Sequence, residues 1–355
     1  MRVLAVGDSY MPARFFEDAF DDFARANEVT YLEVGTDPTF VPSSPSERRL
    51  REFLGAPAQL IGSMAGIEVL VVHGAPVTDA VLDGSPSLRL VCCARGGPVN
   101  VDVEAVTARG LPLVNTPGKN AEAVADLTLA FIVALARRLP SAQQFLADGN
   151  QVRDNWEGKR FMGRDLRGLT LGIVGYGQVG QRVAVRAKAF GMTLLAYDPH
   201  VEAPDVEQVT LDELLARADV VSLHARATAE NEHMMDERAF ATMKPGSLLI
   251  NTARETLLDE DALDAALESG RLAGAALDVF APRRPGERPR LLSHENVLIT
   301  PHLGGATYET LRQGAEMLAD EITRWAAGEP LVNVANRVAV TAAEPAPAYQ
   351  RDESR

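Results

Sequence analysis

The chain has 355 residues, of which 46% are hydrophobic and 24% are charged, and its formal net charge is −14. The length is sufficient for two ordinary domains with separate cores, and the composition is typical of a globular protein. The negative charge argues against a nucleic-acid-binding protein, which needs a basic face. The longest apolar run, ten residues from Leu127, is too short to span a bilayer. We therefore expect neither nucleic acid nor a membrane as a partner.

Short β-rich runs alternate with helical patterns along the first half, which indicates a parallel α/β architecture. The predicted strands are RVLAV from Arg2, VTYLEV from Val29, EVLVV from Glu68, LRLVCCA from Leu88 and LPLVN from Leu111. A long helix is predicted from about Ala121 to Ala147, after the helix breakers Pro117 and Gly118. Cys92 and Cys93 are adjacent and provide neither a disulfide framework nor metal-ligand spacing. We interpret them as buried thiols in a reducing cytoplasm, and we expect no metal site.

A second α/β series follows a polar, turn-rich connection. It begins with LTLGIVGYGQVG and continues with the predicted strands TLLAYD, DVVSLH, SLLIN, GAALDV and VLIT. Another long helix is predicted from about Tyr308 to Ala327. Residues 338–355 are rich in Ala and Pro, so we predict a disordered tail.

The stretch GYGQVG at 175–180 fits the pattern G-x-G-x-x-G, and it lies between a predicted strand and a predicted helix, as a dinucleotide-binding loop requires. Glycines there allow a tight turn and a close approach to a pyrophosphate, which lies at the helix N-terminus. Asp198 ends the next predicted strand, 18 residues after Gly180. Its carboxylate accepts hydrogen bonds from ribose hydroxyls and repels a 2′-phosphate, which favours NAD over NADP. The predicted cofactor residues here are Gly175, Gly177, Gln178, Val179, Gly180 and Asp198.

Several longer blocks of the chain resemble the D-isomer-specific 2-hydroxyacid dehydrogenase family. These blocks are VNTPGKNAEAVADLTLAFIVALAR, the glycine motif, ADVVSLH, MKPGSLLINTARETLLDEDALDAALESGRLAGAALDVF and NVLITPHLGGAT. The resemblance covers roughly Leu88 to Val334. It implies two Rossmann- or flavodoxin-like, doubly wound parallel-sheet domains and usually a homodimer. The implied domains are a discontinuous substrate-binding domain at 1–118 and 306–337 and an NAD-binding domain at 119–305.

The resemblance also implies catalytic residues for an NAD-dependent oxidoreductase of small D-2-hydroxy and 2-oxo acids. Arg254 in NTARE matches the family arginine, whose guanidinium suits a substrate carboxylate and polarises the C2 oxygen. His302 in TPHLGG matches the general acid/base that exchanges the proton of the C2 hydroxyl.

Further cofactor contacts follow from the same resemblance. Asp278 matches a residue near the nicotinamide carboxamide, and Thr252, Ala253 and Gly304 are expected to supply backbone contacts. His224 ends VVSLH, where the family borders the cofactor. We interpret other acidic and histidine side chains as structural or solvent-facing, namely His73, Glu122, Asp126, His233 and His294.

One position departs from the family pattern. The family has a glutamate five residues after the position of Asp278, where it pairs with the catalytic histidine, and this chain has Arg283 there. Three interpretations remain open. In the first, Arg283 turns outward and another acid, such as Glu287 or Glu255, pairs with His302. In the second, Arg283 faces the substrate and binds a second anionic group. In the third, the pair is lost and the protein is slow or non-catalytic.

The predicted substrate loop also departs from the family. It is Ala94-Arg95-Gly96-Gly97-Pro98, whose glycines keep the backbone accessible. Arg95 adds a cation there, unless it is simply a solvated loop residue. Together with Arg283, it favours a substrate with an extra anionic group, such as a phosphoglycerate-like acid. The alternative function is an NADH-binding, corepressor-like protein or a weakly catalytic member of the family.

Overall fold

The computed structural model describes residues 1–37, 39–150, 157–281 and 286–336. The chain divides into two compact units. Unit 1 combines Met1–Lys119 with the stretch from Thr307 onward, and unit 2 is Asn120–Ala306. The predicted tail at 338–355 lies outside the described residues. Among the described residues, no helix is both long and apolar enough to cross a membrane.

Unit 1 is built around a parallel sheet of five strands. Its elements before the unit boundary are β1 (Arg2–Asp8), α1 (Arg14–Ala19), α2 (Asp21–Ala24), β2 (Glu28–Val34), α3 (Pro45–Arg48), α4 (Ala58–Ile61), β3 (Val69–Val72), α5 (Asp79–Asp83), β4 (Leu90–Cys93), α6 (Val103–Ala108) and β5 (Leu113–Asn115). The strand order is β2-β1-β3-β4-β5. This order reverses direction between β1 and β3, the point at which open α/β sheets bind ligands.

Alternation along the strands of unit 1 supplies both faces of its sheet with apolar side chains. In β1, Leu4 packs in one core cluster, whereas Val3 and Ala5 pack in a second cluster on the opposite face. The long C-terminal helix of unit 1, Tyr308–Ala326, contributes Leu318 and Trp325 to that second cluster. Both cysteines are buried and unpaired, as predicted.

Unit 2 is built around a second, larger parallel sheet. Its elements are α7 (Ala121–Ala136), α8 (Leu139–Ala147), β6 (Thr170–Val174), α9 (Gln178–Ala189), β7 (Thr193–Tyr197), β8 (Glu207–Gln208), α10 (Leu211–Arg217), β9 (Val220–Leu223), α11 (Glu237–Thr242), β10 (Ser247–Asn251), α12 (Glu260–Glu268), β11 (Leu272–Leu277) and β12 (Val297–Ile299); the C-terminal helix of unit 1 is then α13 (Tyr308–Ala326). The order of the seven strands is β12-β11-β10-β9-β6-β7-β8, with the reversal between β6 and β9.

The central strands of unit 2, β6, β9 and β10, are buried on both faces, which explains why they are almost continuously apolar. Leu249 of β10 packs in one core cluster, and its neighbours Leu248 and Ile250 pack in the other. The predicted α/β fold class, with two doubly wound parallel sheets and a discontinuous first domain, is confirmed.

Two local predictions need correction. The single helix predicted over 121–147 is two helices, because Arg138 adopts a left-handed backbone conformation with φ of 52° and ends the first helical register. The short strand β8 was not predicted, since its two residues carry no apolar pattern and both are exposed at the sheet edge.

Candidate active site

Two glycines of the 175–180 loop are required by close backbone packing. Gly175 follows β6 with φ of 93°, and a Cβ atom there would lie 2.5 Å from the Ala225 nitrogen. A Cβ atom on Gly180 would lie 2.2 Å from the Gly175 carbonyl oxygen. A larger residue at position 175 would push the turn away from the segment that follows β9, and one at position 180 would push helix α9 away from β6 and the turn.

The middle glycine faces open space instead. Gly177 is the N-cap of α9, and a Cβ atom there would meet no heavy atom within 4 Å. The first N–H groups of a helix have no intrahelical acceptors and carry a partial positive charge. The start of α9 therefore fits an anionic group such as a pyrophosphate. Gln178 is exposed and accepts a hydrogen bond from Arg182, while Val179 packs on the core beneath the helix.

Asp198 lies directly after β7 and is tied to the glycine loop. Its Oδ2 accepts a hydrogen bond from the Tyr176 N–H at 2.7 Å. Its Oδ1 accepts hydrogen bonds from the N–H groups of His200 and Val201, at 2.8 and 3.0 Å. The carboxylate is partly exposed, so it can still accept a hydrogen bond from a ligand hydroxyl beside the loop.

His224 lies after β9, with its backbone against Gly175. Its Nε2 is 2.9 Å from the Ser222 hydroxyl, and burial lowers the pKa of His224 to about 3. The ring is therefore neutral at pH 7. Its Nδ1 is buried and has no hydrogen-bond partner among the described residues.

Arg254 follows β10 and is positioned by Asn251, a residue that the sequence analysis did not single out. The Asn251 amide donates to the Arg254 carbonyl at 2.9 Å and accepts from the Ala253 N–H at 3.0 Å. Arg254 Nη1 donates to the Ala253 carbonyl at 2.6 Å. Within the described part of the chain, no carboxylate pairs with this exposed guanidinium. Its remaining N–H groups suit a ligand carboxylate.

Thr252 is buried next to this turn, and its hydroxyl lies 3.1 Å from that of Thr128. Since Thr128 already donates its proton to the Val124 carbonyl, Thr252 is the donor of this pair. The Thr252 hydroxyl and the Ala253 N–H thus already form hydrogen bonds inside unit 2. The cofactor contacts predicted for these residues would have to come from their other backbone N–H and carbonyl groups.

His302 follows β12 and has a left-handed backbone with φ of 59°. Asp278, at the end of β11, holds this loop. Its carboxylate is buried and accepts hydrogen bonds from the N–H groups of Leu303 and Gly304, each at 2.7 Å, and from the Thr300 hydroxyl at 2.5 Å. The His302 N–H donates to the Asp278 carbonyl at 3.1 Å. Asp278 therefore stabilises a backbone conformation that L-residues seldom adopt.

Gly304 is constrained by the same carboxylate, because a Cβ atom there would lie 2.9 Å from Asp278 Oδ2. Its N–H donates to Asp278, so the backbone contact predicted for Gly304 is left to its carbonyl group and stays a prediction.

The exposed ring of His302 has no carboxylate within 4 Å among the described residues. Arg283 lies outside the described residues, so all three interpretations of this position stay predictions.

The candidate residues of unit 2 share one edge of its sheet. Arg254 and His302 follow β10 and β12, which flank β11 and are about 10 Å apart at the normal strand spacing. The glycine loop follows β6, at the strand reversal. The sheet therefore presents a guanidinium and an imidazole on one half of its edge and an anion-binding helix start on the other.

The predicted substrate loop of unit 1 follows β4. Gly96 and Gly97 are exposed, and Cβ atoms there would meet nothing closer than 3.9 Å. The Arg95 guanidinium donates to the carbonyl and the carboxylate of Glu52. Arg95 is therefore not a free cation in this structure.

Unit 1 also holds a buried pair of ionisable residues that was not predicted from the sequence. His73 Nδ1 lies 2.8 Å from Asp8 Oδ2, and both residues are buried at the carboxyl edge of the sheet. Each residue follows or ends a strand, which was the available signal. Across the described residues, no group of three or more His, Cys, Asp or Glu side chains is arranged to hold a metal ion.

A glycine loop at the strand reversal of a parallel sheet, followed by an acidic residue on the next strand, defines a dinucleotide-binding protein. The family described as D-isomer specific 2-hydroxyacid dehydrogenase, NAD binding domain, matches residues 129–304. A glyoxylate reductase of Thermococcus litoralis is 38% identical over 281 residues, which are 76% of this chain and 84% of that protein. The chain therefore belongs to the D-isomer specific 2-hydroxyacid dehydrogenase family and carries its NAD-binding domain.

Two further relatives agree with this assignment. D-3-phosphoglycerate dehydrogenase of Methanocaldococcus jannaschii is 39% identical over 285 residues, which are 78% of this chain and 53% of that protein. The chain thus spans about half the length of the phosphoglycerate dehydrogenases that it matches. The crystal structure of D-lactate dehydrogenase from Aquifex aeolicus, complexed with NAD and lactic acid, has a TM-score of 0.68 and 28% identity, and the match covers 92% of this chain and 96% of that one.

Proposed function

We propose that the chain is an NAD-dependent oxidoreductase that transfers a hydride between nicotinamide and C2 of small D-2-hydroxy and 2-oxo acids. The observation that carries this proposal is the placement of Arg254 and His302 after β10 and β12, on the sheet edge that also bears the glycine loop. The relatives named glyoxylate reductase and D-3-phosphoglycerate dehydrogenase support it. They give no support to the corepressor-like alternative.

The residues of unit 2 fit NAD. The open space at Gly177 and the N–H groups at the start of α9 suit its pyrophosphate, and Asp198 suits a ribose hydroxyl. When bound, NAD supplies the hydride acceptor or donor at nicotinamide C4. The negative charge of Asp198 beside the loop disfavours the 2′-phosphate of NADP.

Arg254 and His302 provide complementary chemistry at the substrate. The Arg254 guanidinium binds the substrate carboxylate and stabilises negative charge that develops on the C2 oxygen. His302 gives a proton to that oxygen when a 2-oxo acid is reduced and accepts the proton in the reverse direction. The backbone of the His302 loop is held by Asp278, so the proton donor is positioned before the substrate binds.

The substrate class includes acids with a second anionic group. This proposal is based on Arg283, which stands at the position of the family glutamate. An arginine can pair with a second anionic group, whereas a glutamate would repel it. Arg95 is less available for this role than the sequence suggested, because it pairs with Glu52. Arg283→Glu should lower kcat/KM for 2-oxo acids with two anionic groups and spare pyruvate and glyoxylate. Equal effects on both classes would show that Arg283 does not contact the substrate.

We further propose that unit 1, with the predicted boundaries 1–118 and 306–337, binds the substrate and that residues 119–305 bind the cofactor. We also propose a cytoplasmic homodimer with no nucleic-acid or membrane partner. The net charge of −14 argues against a nucleic-acid partner, and the usual dimeric state of the family supports the homodimer. The buried, unpaired cysteines Cys92 and Cys93 suit a reducing compartment such as the cytoplasm. Light scattering on the purified chain tests the dimer, and a monomeric mass would contradict it.

The decisive experiment on the proposed function is Arg254→Ala. We expect kcat/KM for 2-oxo acids to fall by about a hundredfold or more, as for loss of one transition-state contact, while NADH still binds. The matched control is Arg238→Ala, which removes an exposed arginine of α11 that pairs with Asp212. Near-normal activity of Arg254→Ala, or an equal loss in both variants, would place Arg254 outside the site.

A further inference from the structure

The carboxyl edge of the sheet in unit 1 gathers buried polar groups at its own strand reversal. Asp8 ends β1 and His73 follows β3, and these neighbouring strands are the two between which the strand order reverses. Crevices at this point are the usual ligand sites of open α/β sheets. The predicted substrate loop follows β4, the next strand along the same edge.

Asp8 holds His73 in a fixed orientation. The Asp8 carboxylate accepts hydrogen bonds from the N–H groups of Tyr10, Met11 and Gly74, at 2.8, 2.9 and 2.8 Å, besides its contact with His73. Burial raises the pKa of Asp8, but these hydrogen bonds and the nearby His73 outweigh burial, so the pKa lies below its ordinary value. Asp8 is therefore anionic and His73 Nδ1 carries the proton. The Tyr10 ring stacks on the imidazole, with centroids 5.5 Å apart.

Lys119 lies beneath the substrate loop. Its Nζ donates a hydrogen bond to the Ala94 carbonyl at 2.6 Å, and the residue is only 8% exposed. In residues 1–37, 39–150, 157–281 and 286–336, no carboxylate lies within 4 Å of this ammonium and no second acceptor binds it. A buried charge is costly unless a counter-charge pairs with it.

The fold makes room for this lysine. Gly314 lies in the middle of α13, and a Cβ atom there would be 2.9 Å from Lys119 Cδ and 3.3 Å from Nζ. A glycine inside a helix is less stable than an alanine. Gly314 therefore lowers the stability of α13 but leaves space for Lys119, which a larger side chain would displace.

On the basis of the proposed function, we propose that Lys119 binds an anionic group of the substrate held on the Ala94–Pro98 loop, with His73 as the neighbouring hydrogen-bonding group. Three features of unit 1 support this role of Lys119. The ammonium touches the base of the loop, it has N–H groups without an acceptor in the described part of the chain, and Gly96 and Gly97 leave the backbone above it open.

The charge state of Lys119 makes this proposal testable. The pKa of Lys119 is lowered to about 8, mainly by burial; the Arg95 charge also lowers it, whereas Cys93 and Asp8 act in the opposite direction. Asp8, whose pKa lies below its ordinary value, stays anionic above pH 7. Burial raises the pKa of Cys93 to about 12, and burial lowers that of His73, so both stay neutral there. Of Lys119, Asp8, Cys93 and His73, only Lys119 then changes charge between pH 7 and 9.5, and anion affinity should fall through that range.

The first experiment measures oxalate binding to the full chain by calorimetry from pH 6.5 to 9.5. Oxalate keeps both charges over this range. We expect its dissociation constant to rise about tenfold for the wild type, as for loss of a charge-assisted contact. Lys119→Met should bind oxalate about tenfold more weakly at pH 7 and show no such rise. The control Lys244→Met removes a lysine of unit 2 that pairs with Asp219, and it should behave like the wild type.

A flat wild-type profile, or an unchanged profile in Lys119→Met, would overturn the proposal. Gly314→Ala supplies a second variant, because its Cβ atom should displace the lysine and weaken oxalate binding without removing the charge. If Lys119→Met does not fold, oxalate binding by Gly314→Ala and the pH profile of the wild type still test the proposal.

The second experiment compares substrates. In Lys119→Met, KM should rise about tenfold with little change in kcat. An equal rise for pyruvate and 2-oxoglutarate would identify the bound group as the common carboxylate, and a rise for 2-oxoglutarate alone would identify the distal one. A rise for neither would overturn the proposal. Lysine-dependent oxalate binding without reduction of any 2-oxo acid would instead contradict the proposed function and leave the anion site standing.

Discussion

The Asp278 carboxylate offers the sharpest test of how the fold positions His302. Asp278→Asn keeps the size of the side chain but replaces one carboxylate oxygen with an amide NH₂ group. The two oxygens of Asp278 accept hydrogen bonds from the N–H groups of Leu303 and Gly304. Whichever oxygen is replaced, an N–H donor of the loop then faces another donor.

The magnitude follows from the bonds that change. A hydrogen bond to a charged group contributes roughly 1.5–3 kcal/mol, and a buried donor left without an acceptor costs about 1–3 kcal/mol. We therefore expect the free energy of unfolding to fall by about 3 kcal/mol. The left-handed backbone of His302 is disfavoured by about 1–2 kcal/mol, so the weakened loop should relax towards an ordinary conformation. A proton donor displaced by about 1 Å lowers the rate by roughly a hundredfold.

The assay pairs urea denaturation with steady-state kinetics. Thr300→Val is the matched control, because it removes one hydroxyl that donates to the same carboxylate and leaves both loop N–H groups paired. We expect this control to lose about 1 kcal/mol of stability and little activity. In Asp278→Asn, stability and kcat should fall together.

One result would refute this reasoning. If Asp278→Asn loses activity while its unfolding free energy changes by less than about 1 kcal/mol, Asp278 does not act by holding the loop. It would then act at the cofactor directly, as the family resemblance implied.

Three further predictions concern the cofactor edge. First, burial lowers the pKa of His224 to about 3, against about 6.5 in an unfolded chain, so unfolding takes up a proton as pH falls between these values. The unfolding free energy of the wild type should therefore fall relative to that of His224→Leu by up to about 1.4 kcal/mol per pH unit between pH 6 and 4. Urea denaturation that gives the same pH dependence for both proteins would contradict this prediction. Second, Gly177→Ala should fold normally yet bind NADH more weakly, whereas Gly180→Ala should be unstable, because its Cβ atom would lie 2.2 Å from the Gly175 oxygen. Equal free energies of unfolding in the two variants would contradict this account of the glycine loop. Third, Asp198→Ser should raise the ratio of kcat/KM for NADPH to that for NADH, and an unchanged ratio would mean that Asp198 does not select the cofactor.

The sequence alone was sufficient for the fold class and for the candidate residues of unit 2. Alternating strands and helices identify a parallel sheet, and GYGQVG lies directly between a strand and a helix. Such motifs are local, because the strand, the turn and the helix that they need are consecutive in the chain. The blocks around Arg254 and His302 are local in the same way, since each follows the strand that carries it.

The partners of these residues depended on the tertiary structure. Arg95 pairs with Glu52, His73 pairs with Asp8 and Lys119 binds the Ala94 carbonyl, and in each pair the residues are at least 25 positions apart. A side chain at a strand end meets whatever follows the neighbouring strand, and the strand order β2-β1-β3-β4-β5 decides which strand that is.

The same reason explains why His73 was interpreted as structural or solvent-facing and why Lys119 was not singled out. His73 lies outside the blocks that resemble the family, and the block that contains Lys119 predicts no role for this residue. A histidine or a lysine also carries no mark of burial in the sequence. Only the packing of β1, β3 and α13 buries them and sets their charges. The candidate residues of unit 2 could thus be predicted because each lies in a local sequence block between β6 and β12. The buried charged groups of unit 1 could not, because they come together only when residues distant in sequence pack against each other.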